Sequence, residues 1–170
     1  MTTSEPVIRP AVPGDLAAVA EINAHYVTHT VATFDETPRT LADWRRWLAD
    51  LGGHGLPFLV ADLAGDVAGY AYAGPWRPKP AYRYTVEDTI YVAPGHVGRR
   101  LGTALLGALV TASAEAGMRR MVAVIADSGD DRSAALHRRF GFTEAGRLTR
   151  VGFKHGRWID TLLMQRSLSG

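Results

Sequence analysis

The alternation of apolar and polar residues divides this chain of 170 residues into short strands and helices. Short runs rich in β-branched and aromatic residues indicate strands, and apolar residues three and four positions apart indicate helices. We predict four helices, beginning near Asp15, Leu41, Gly102 and Asp130, and seven strands at residues 7–10, 58–62, 67–73, 89–92, 119–126, 142–153 and 158–167. This order predicts one α/β (α+β) domain, residues 1–170, with a mixed sheet and helices on its faces.

Residues 86–117 combine a strand, a glycine-bearing turn and a helix. Gly98 and Gly102 flank the start of the helix, so its first turn presents backbone N–H groups that side chains do not cover. The helix dipole adds partial positive charge there, which predicts an anion site, most often for phosphate. Arg99 and Arg100 would attract such an anion. A glycine-containing loop with two solvated arginines is the alternative.

Composition narrows the classes of function. The chain carries 19 Lys and Arg against 17 Asp and Glu, and a formal net charge of +2 gives no case for nucleic acid as a partner. Cysteine is absent, which excludes disulfides, thiolate metal sites and a cysteine nucleophile. No secretory signal is visible, and no apolar run approaches the roughly 18 residues that span a bilayer. We therefore expect a cytoplasmic protein without a membrane partner.

His25 and His29 lie one turn apart on the first predicted helix. A histidine pair at this spacing can bind a metal ion, but no acidic third ligand is evident and the H-E-x-x-H pattern is missing. We expect these histidines to be exposed or at the edge of a pocket, and we predict no metal site.

Three stretches carry a resemblance to a known family: G-P-W-R-P-K-P-A-Y-R-Y-T-V-E-D-T-I-Y-V-A-P (74–94), A-L-H-R-R-F-G-F (135–142) and V-G-F-K-H-G-R-W-I-D (151–160). They look like the phosphinothricin and methionine sulfoximine acetyltransferase branch of the GCN5-related N-acetyltransferase superfamily. The order of elements is similar too, over nearly the full chain. The resemblance implies the acyl-CoA N-acyltransferase fold, a mostly antiparallel sheet of about seven strands flanked by four helices. It also implies acetyl-CoA as co-substrate and a homodimer.

The family's phosphate-binding motif, Gln/Arg-x-x-Gly-x-Gly/Ala, corresponds to V-G-R-R-L-G at residues 97–102. Val97 replaces the usual first residue, and Arg100 stands where the middle glycine is expected. Arg100 can still offer its backbone N–H, provided that the local conformation does not need positive φ. Asp130, in place of the family's Asn, is expected to N-cap the last helix. The resemblance implies acetyl-CoA contacts from Ile90, Tyr91, Val92, Val97, Gly98, Arg99, Arg100, Leu101, Gly102, Thr103, Asp130 and Ser133.

Acetylation needs a neutral amine, whereas amino groups are mostly protonated near pH 7. The resemblance makes Glu87, at the start of the central strand, the general base, acting directly or through a water. A strand-end glutamate in a salt bridge is the alternative. His137 stands where most of the superfamily has a tyrosine that protonates the thiolate, and it either donates to sulfur or positions the amine. A helix histidine packed against the sheet is the alternative.

The proline-rich connection 74–82 carries Arg77 and Lys79, which suit an anionic substrate group. The resemblance implies that they line an amino-acid pocket with Phe34, Tyr82 and Glu87; a solvated basic loop is the alternative. We predict direct transfer, in a ternary complex, from acetyl-CoA to a small amine such as phosphinothricin, methionine sulfoximine or methionine sulfone. Acetylation of a protein or peptide amine and a non-catalytic CoA-binding module are the other two hypotheses.

Overall fold

The computed structural model describes residues 4–169. Its strands are β1 (Val7–Pro10), β2 (Phe58–Leu63), β3 (Asp66–Pro75), β4 (Thr85–Val92), β5 (Arg120–Ala126), β6 (Thr143–Lys154) and β7 (Arg157–Ser167). Its α-helices are α1 (Leu16–His29), α2 (Leu41–Gly53), α3 (Leu101–Glu115) and α4 (Arg132–Arg139). One sheet has the order β1-β2-β3-β4-β5-β7-β6, and every neighbouring pair is antiparallel except β4 and β5. The predicted mixed, mostly antiparallel sheet with four helices is confirmed.

Helix α3 packs closely on the centre of the sheet. Its apolar stripe is fully buried, and Gly69 on β3 leaves the space that this packing needs. A Cβ at Gly69 would lie 3.1 Å from Cδ1 of Leu105 and 3.0 Å from the carbonyl oxygen of Tyr91. The helix therefore lies directly against β3 and β4, which fixes its N-terminus beside the C-terminal end of β4.

Helix α2 packs on the opposite face. Successive strand residues point to opposite faces, so Tyr70 lies on the other side of the sheet from Gly69. Trp44 of α2 is buried there, with its ring centroid 5.5 Å from that of Tyr70 in an edge-on arrangement. The predicted capping box is present: Thr40 Oγ1 accepts from the Asp43 N–H at 3.1 Å, and Asp43 Oδ2 accepts from the Thr40 N–H at 2.9 Å.

Strands β4 and β5 pair over only three residues. The parallel ladder joins Thr85–Glu87 to 120–122 and then ends. On its other edge β4 stays paired with β3 as far as Val92. The edge of β4 from Asp88 onward therefore faces no strand within residues 4–169, and the two strands diverge into a cleft.

The structure corrects three sequence-based boundaries. The central strand begins at Thr85 rather than Thr89, so Glu87 lies inside it. Gly74 and Pro75 end β3 instead of belonging to the connection, because the antiparallel ladder continues through Gly74 opposite Glu87. A strand can end on proline at little cost because the ladder needs no further N–H there.

The third correction concerns the start of α4. Its N-cap is Asp131, and Asp130 lies one residue earlier. The Oδ1 atom of Asp130 accepts from the Arg132 N–H at 2.9 Å, so the carboxylate still satisfies a free donor of the first turn. A short aspartate side chain reaches two residues ahead in this way, and spacing alone does not distinguish the two positions. Within residues 4–169 no helix is both long and apolar enough to cross a membrane.

Candidate active site

A cleft of about 610 Å³ opens where β4 leaves β5. It runs from the segment between α1 and α2, past the free edge of β4, to the start of α4. Both predicted catalytic residues line it. The predicted site residues that it brings together are Phe34, Glu87, Ile90, Tyr91, Val92, Val97, Gly102, Asp130, Ser133 and His137.

A second depression adjoins the cleft at the N-terminus of α3. Four further predicted cofactor residues line it: Gly98, Arg100, Leu101 and Thr103. The N-cap of α3 makes no side-chain cap, and no hydrogen bond within the described residues occupies the N–H groups of 101–103. Arg132 and Arg139 of α4 lie on the other wall. Free N–H groups beside arginines suit a phosphate-bearing group.

Arg100 has the positive φ that a glycine at this position of the motif would adopt without strain. Its φ is 60° and its ψ 22°, in the left-handed region, and Gly98 two residues earlier has a φ of 90°. The chain must turn sharply here so that α3 begins with its N–H groups facing outward. A residue with a Cβ occupies that region at a cost of about 1–2 kcal/mol. The position therefore requires a glycine-like backbone although the side chain is arginine.

We expect the strain at Arg100 to invert the usual order of alanine and glycine. Arg100→Gly relieves it and Arg100→Ala does not, so the glycine variant should be more stable by about 1 kcal/mol. Urea unfolding of both variants measures this difference. The matched pair Thr111→Gly and Thr111→Ala, inside α3, should show alanine as the more stable residue. Equal stability of the two Arg100 variants would contradict the assigned backbone strain.

Asp88 and His137 form a buried pair between β4 and α4. Nε2 of His137 lies 2.9 Å from Oδ2 of Asp88, and Nδ1 lies 2.7 Å from the Ser133 carbonyl oxygen. Both partners offer oxygen atoms that can accept, and this arrangement favours the imidazolium form, in which both ring nitrogens donate. Burial alone would lower the pKa of His137, but the hydrogen bond and charge of Asp88, with the Ser133 carbonyl, outweigh burial and raise it.

The pair has two consequences for the sequence-based hypotheses. His137 is only 4% exposed and lies against the sheet, as the alternative of a packed helix histidine predicts. It also lines the cleft, as a catalytic residue would. Proton donation to sulfur would require Nε2 to leave Asp88. Sequence reasoning missed Asp88. The available signal was strand alternation, because neighbouring residues of a strand point to opposite faces, and Asp88 therefore points away from Glu87 and toward α4.

We expect Asp88→Asn to lower the pKa of His137, because burial is then opposed only by the Ser133 carbonyl. NMR titration of the histidine ring nitrogens measures this, with Asp131→Asn, an exposed carboxylate at the same helix, as control. A raised pKa means that the folded protein holds the proton more tightly. The stabilisation is therefore complete below the ordinary value of 6.5 and fades as pH rises through the folded-state pKa. An unchanged His137 pKa in Asp88→Asn would contradict the assigned cause.

Glu87 is a half-buried carboxylate without a partner. No hydrogen bond or ion pair within residues 4–169 involves its side chain, so the salt-bridged alternative is not observed. Burial raises the pKa of Glu87, the nearby charge of Asp88 raises it further, and Arg77 opposes both. A carboxyl group of raised pKa that is free to accept a proton suits general base catalysis.

The other predicted substrate residues lie outside the cleft. Arg77, Lys79 and Tyr82 are exposed, and the Arg77 guanidinium carbon stacks 5.0 Å from the Trp76 ring centroid. Arg77 still acts on Glu87, since its charge lowers the pKa of that carboxyl. Arg99 lines neither cavity.

The amine-side wall holds residues that sequence reasoning did not find: Asn23, Tyr26, Thr33, Arg39 and Tyr72. The aromatic positions belong to ordinary amphipathic patterns of a helix and a strand, so nothing in their spacing indicated a pocket. For Arg39 the only signal was its place immediately before the capping box of α2.

The segment that carries Phe34 is fastened to β6. A Cβ at Gly152 would overlap the Phe34 ring, so the absence of a side chain at this position lets the ring pack on that strand. Two residues further, Nζ of Lys154 donates to the Thr33 carbonyl at 2.8 Å. Lys154 is buried, and burial lowers its pKa. These contacts hold one wall of the cleft in place.

His25 and His29 lie at the C-terminal end of α1, with ring centroids 5.3 Å apart. In the part of the chain that the structure describes, no group of three or more His, Cys, Asp or Glu side chains is placed to hold a metal ion. The arrangement around the cleft instead offers a base, an unpaired strand edge and an anion-binding helix end.

A strand edge that leads to an anion-binding helix end fits a long ligand that combines amide groups with a pyrophosphate, as coenzyme A does. With a free carboxylate at the other end, the fold and cleft define an acyl-CoA-dependent N-acyltransferase. Residues 19–142 match the model of the acetyltransferase (GNAT) family, and the chain belongs to that family. It is an N-acetyltransferase, and acetyl-CoA is its co-substrate.

Two curated relatives are similar over most of the chain. A phosphinothricin N-acetyltransferase from Alcaligenes faecalis is 44% identical over 155 residues, covering 91% of this chain and 79% of the relative. An L-methionine sulfoximine/L-methionine sulfone acetyltransferase from Pseudomonas aeruginosa is 43% identical over 162 residues, covering 95% and 94%. The crystal structure of a phosphinothricin acetyltransferase from Sinorhizobium meliloti with AcCoA has a TM-score of 0.92 at 42% identity, covering 98% and 89%.

Proposed function

We propose that this acetyltransferase acetylates the α-amino group of a small amino-acid-like substrate such as phosphinothricin, methionine sulfoximine or methionine sulfone. The observation that carries the proposal is Glu87, a partly buried carboxylate without a partner at the amine-side end of the cleft. The names of the two curated relatives support the substrate class. Because acetyl-CoA is made and consumed inside cells, we also propose a cytoplasmic location, which cell fractionation tests.

Glu87 removes the proton that prevents the amine from attacking. The substrate arrives as an ammonium ion, which the carboxylate attracts, and Glu87 accepts its proton directly or through a water. The neutral nitrogen then attacks the thioester carbonyl carbon and forms the carbon–nitrogen bond. The carbon–sulfur bond breaks, CoA leaves as the thiolate, and the nitrogen loses its second proton, which reaches the thiolate through solvent to give the free thiol. Transfer is direct because the chain contains no cysteine to carry the acetyl group.

The free edge of β4 and the start of α3 hold acetyl-CoA in this proposal. The N–H groups of Ile90 and Val92 face the free edge; they bind the pantetheine arm and polarise the thioester oxygen, where negative charge develops. The Tyr91 N–H points to β3, where Tyr91 pairs with Tyr70, so Tyr91 contributes to the cleft wall and does not supply a free backbone donor. The first turn of α3 binds the pyrophosphate. The residues assigned to phosphate binding are Val97, Gly98, Arg99, Arg100, Leu101, Gly102 and Thr103, and Asp130 and Ser133 contact the arm from α4.

His137 stabilises the departing sulfur as a fixed cation in this proposal. Its charge is supported by Asp88 and it lines the cleft that receives the thioester. We also assign Arg77, Lys79, Tyr82 and Phe34 to the substrate end, the first three on a loop that covers the bound amino acid. The influence of Arg77 on the pKa of Glu87 supports its place beside the amine.

Glu87→Gln should reduce kcat at least about 100-fold and leave CoA binding intact, because it removes the proton acceptor without removing a cofactor contact. A disulfide dye follows thiol release from acetyl-CoA, and a protein without cysteine adds no background. In the wild type, turnover should fall as pH drops through the raised pKa of Glu87. Glu144→Gln, an exposed strand position, is the control.

Full activity of Glu87→Gln would rule out the base role. The amine panel should hold phosphinothricin, methionine sulfoximine, methionine sulfone, other amino acids, polyamines and peptides. Thiol release with peptides alone would favour the protein or peptide acetyltransferase hypothesis. CoA binding without thiol release from any amine would favour a non-catalytic module.

We also propose a homodimer that forms through β6 and β7. Strand β6 is the edge of the sheet, and an exposed apolar edge usually pairs or is covered. Four large apolar side chains there are 47–55% exposed: Leu148, Val151, Phe153 and Trp158. The Phe153 and Trp158 rings lie 4.9 Å apart, beside the turn that joins the two strands.

Phe153→Glu should convert a dimer into a monomer, because it places a charge within the apolar surface. Sedimentation velocity measures the change in mass. Val7→Glu adds the same charge at an equally exposed apolar residue of β1, at the opposite edge of the sheet, and should leave the dimer intact. A monomeric wild type would rule out the assembly.

A further inference from the structure

Arg39 is the basic side chain that faces the amine-side half of the cleft. Among the described Lys and Arg residues, only Arg39 and Arg132 line the cleft. Arg132 lies at the cofactor end, where its Nε donates to Asp130 at 2.7 Å. The proposed function above needs a cation for an acidic or oxygen-rich substrate group. Within this half of the cleft, Arg39 is the Lys or Arg side chain available for that role.

The backbone and side chain of Arg39 are held in place. The Arg39 N–H donates to Oδ1 of the buried Asn23 at 3.2 Å. The guanidinium carbon lies 5.2 Å from the Trp44 ring centroid and 5.8 Å from that of Trp47. A guanidinium stacked on aromatic rings keeps its hydrogen-bonding edge free. The group is therefore preorganised before a ligand arrives.

Asp35 and the Tyr72 hydroxyl are the polar neighbours of this guanidinium among the described residues, and the guanidinium forms no close hydrogen bond with either. Its acidic contact is Asp35, and the Arg39 Nε to Asp35 Oδ2 distance of 3.9 Å is too long for a hydrogen bond. No hydrogen bond from the guanidinium to another described residue meets ordinary geometry. The side chain is 37% exposed, so solvent reaches it from the cleft. A ligand with two acceptor atoms would satisfy the planar fork.

The sheet register gives the separation between Arg39 and Glu87. Glu87 and Thr89 share a face of β4, and Thr89 pairs with Tyr72 on β3. The charge of Arg39 acts on Tyr72: burial raises the pKa of that phenol, and Arg39 opposes the rise. Trp44 and Trp47, on which Arg39 stacks, have ring centroids 6.2 Å and 5.6 Å from that of Tyr72. Arg39 therefore lies near the Tyr72–Thr89 pair, and Thr89 is about 7 Å along the strand from Glu87. A substrate whose amine meets Glu87 would reach Arg39 with a group several bonds away.

We propose that Arg39 binds the distal oxygen-bearing group of the amino-acid side chain and thereby sets the substrate preference. Phosphinothricin, methionine sulfoximine and methionine sulfone each end in a tetrahedral phosphorus or sulfur centre with two polar atoms. Two such atoms match the two parallel donors of a guanidinium. This inference rests on the proposed function for the position of the amine, and it assigns a residue that the family motif does not include.

The test compares two ligands that differ by two oxygen atoms, methionine sulfone and methionine. Calorimetry measures the binding of each to the complex of the protein with CoA, so turnover is not needed. The wild type should bind the sulfone about tenfold or more tightly, as expected for a hydrogen bond to a charged donor. Arg39→Met keeps the aliphatic stem over the tryptophans and should abolish this preference while methionine binds as before.

Two further variants sharpen the result. Arg39→Lys keeps the charge without the fork and should retain a reduced preference. Arg45→Met removes a solvent-exposed arginine of α2 and should behave as the wild type. An unchanged Kd for CoA in each variant shows that the fold and cofactor site are intact.

Several outcomes overturn the inference. If Arg39→Met lowers the affinity for methionine sulfone and methionine equally, Arg39 binds the α-carboxylate. If Arg39→Met and the wild type prefer the sulfone to the same degree, with unchanged affinities, Arg39 does not contact the substrate. A wild type that binds both equally, or neither, would contradict a sulfone-recognising subsite. Failure of the proposed function is separate: if the wild type prefers the sulfone but releases no thiol with it, the acetylation proposal fails and the Arg39 assignment stands.

Discussion

The divergence of β4 from β5 is the constraint on which the whole site depends. A parallel pair that separates after three residues leaves the backbone of β4 unpaired in the interior of the sheet, where such groups normally have partners. The sheet tolerates this because the other edge of β4 remains bonded to β3 through Val92. Ligand amide groups can then complete the ladder. The opening is thus part of the fold and exists before a ligand binds.

The divergence has to be held open, and the two helices beyond it do this. Helix α3 packs closely on β3 and β4 because Gly69 has no side chain to keep the helix away. Helix α4 is joined to β4 by the pair of Asp88 and His137, both less than 10% exposed. A buried ion pair contributes little net stability after desolvation, but breaking it by removing one partner is costly. Its main effect here is to fix the spacing across the gap.

The sequence predicted the elements of this fold well, because most of its signals are local. The capping box at Thr40 and Asp43, the apolar face of α3 and the glycines at the helix entry all act within a few residues. The start of β4 was missed because its ladders with β3 and β5, both distant contacts, extend it back to Val86 and Thr85. The family resemblance supplied Glu87 and His137. Asp88 and Arg39 were missed because their roles arise only when separate segments meet.

Backbone geometry at Arg100 marks another limit of the sequence. An arginine at this position gives no local signal for positive φ, and only the path into α3 requires it. Burial of Lys154 is a similar case, since a lysine at a strand end normally extends into water. Its partner is the Thr33 carbonyl, 121 positions away in the chain. Such features follow from tertiary contacts that override the ordinary preference of a residue type.

Because side chains alternate along β4, the residues that face the amine substrate and the backbone edge that faces acetyl-CoA are different parts of the same strand. Glu87 and Thr89 face α2, Asp88 faces α4, and the free edge lies between these faces. Substitutions on α2 and on the connection between α1 and α2 can thus reshape the amine pocket away from the cofactor edge, whereas α1 reaches that edge through the Tyr26 hydroxyl, which donates to the Val92 carbonyl. The same fold can in this way evolve toward new amine substrates while it keeps acetyl-CoA as the acetyl donor. Substitutions in the amine pocket then need not change the cofactor site.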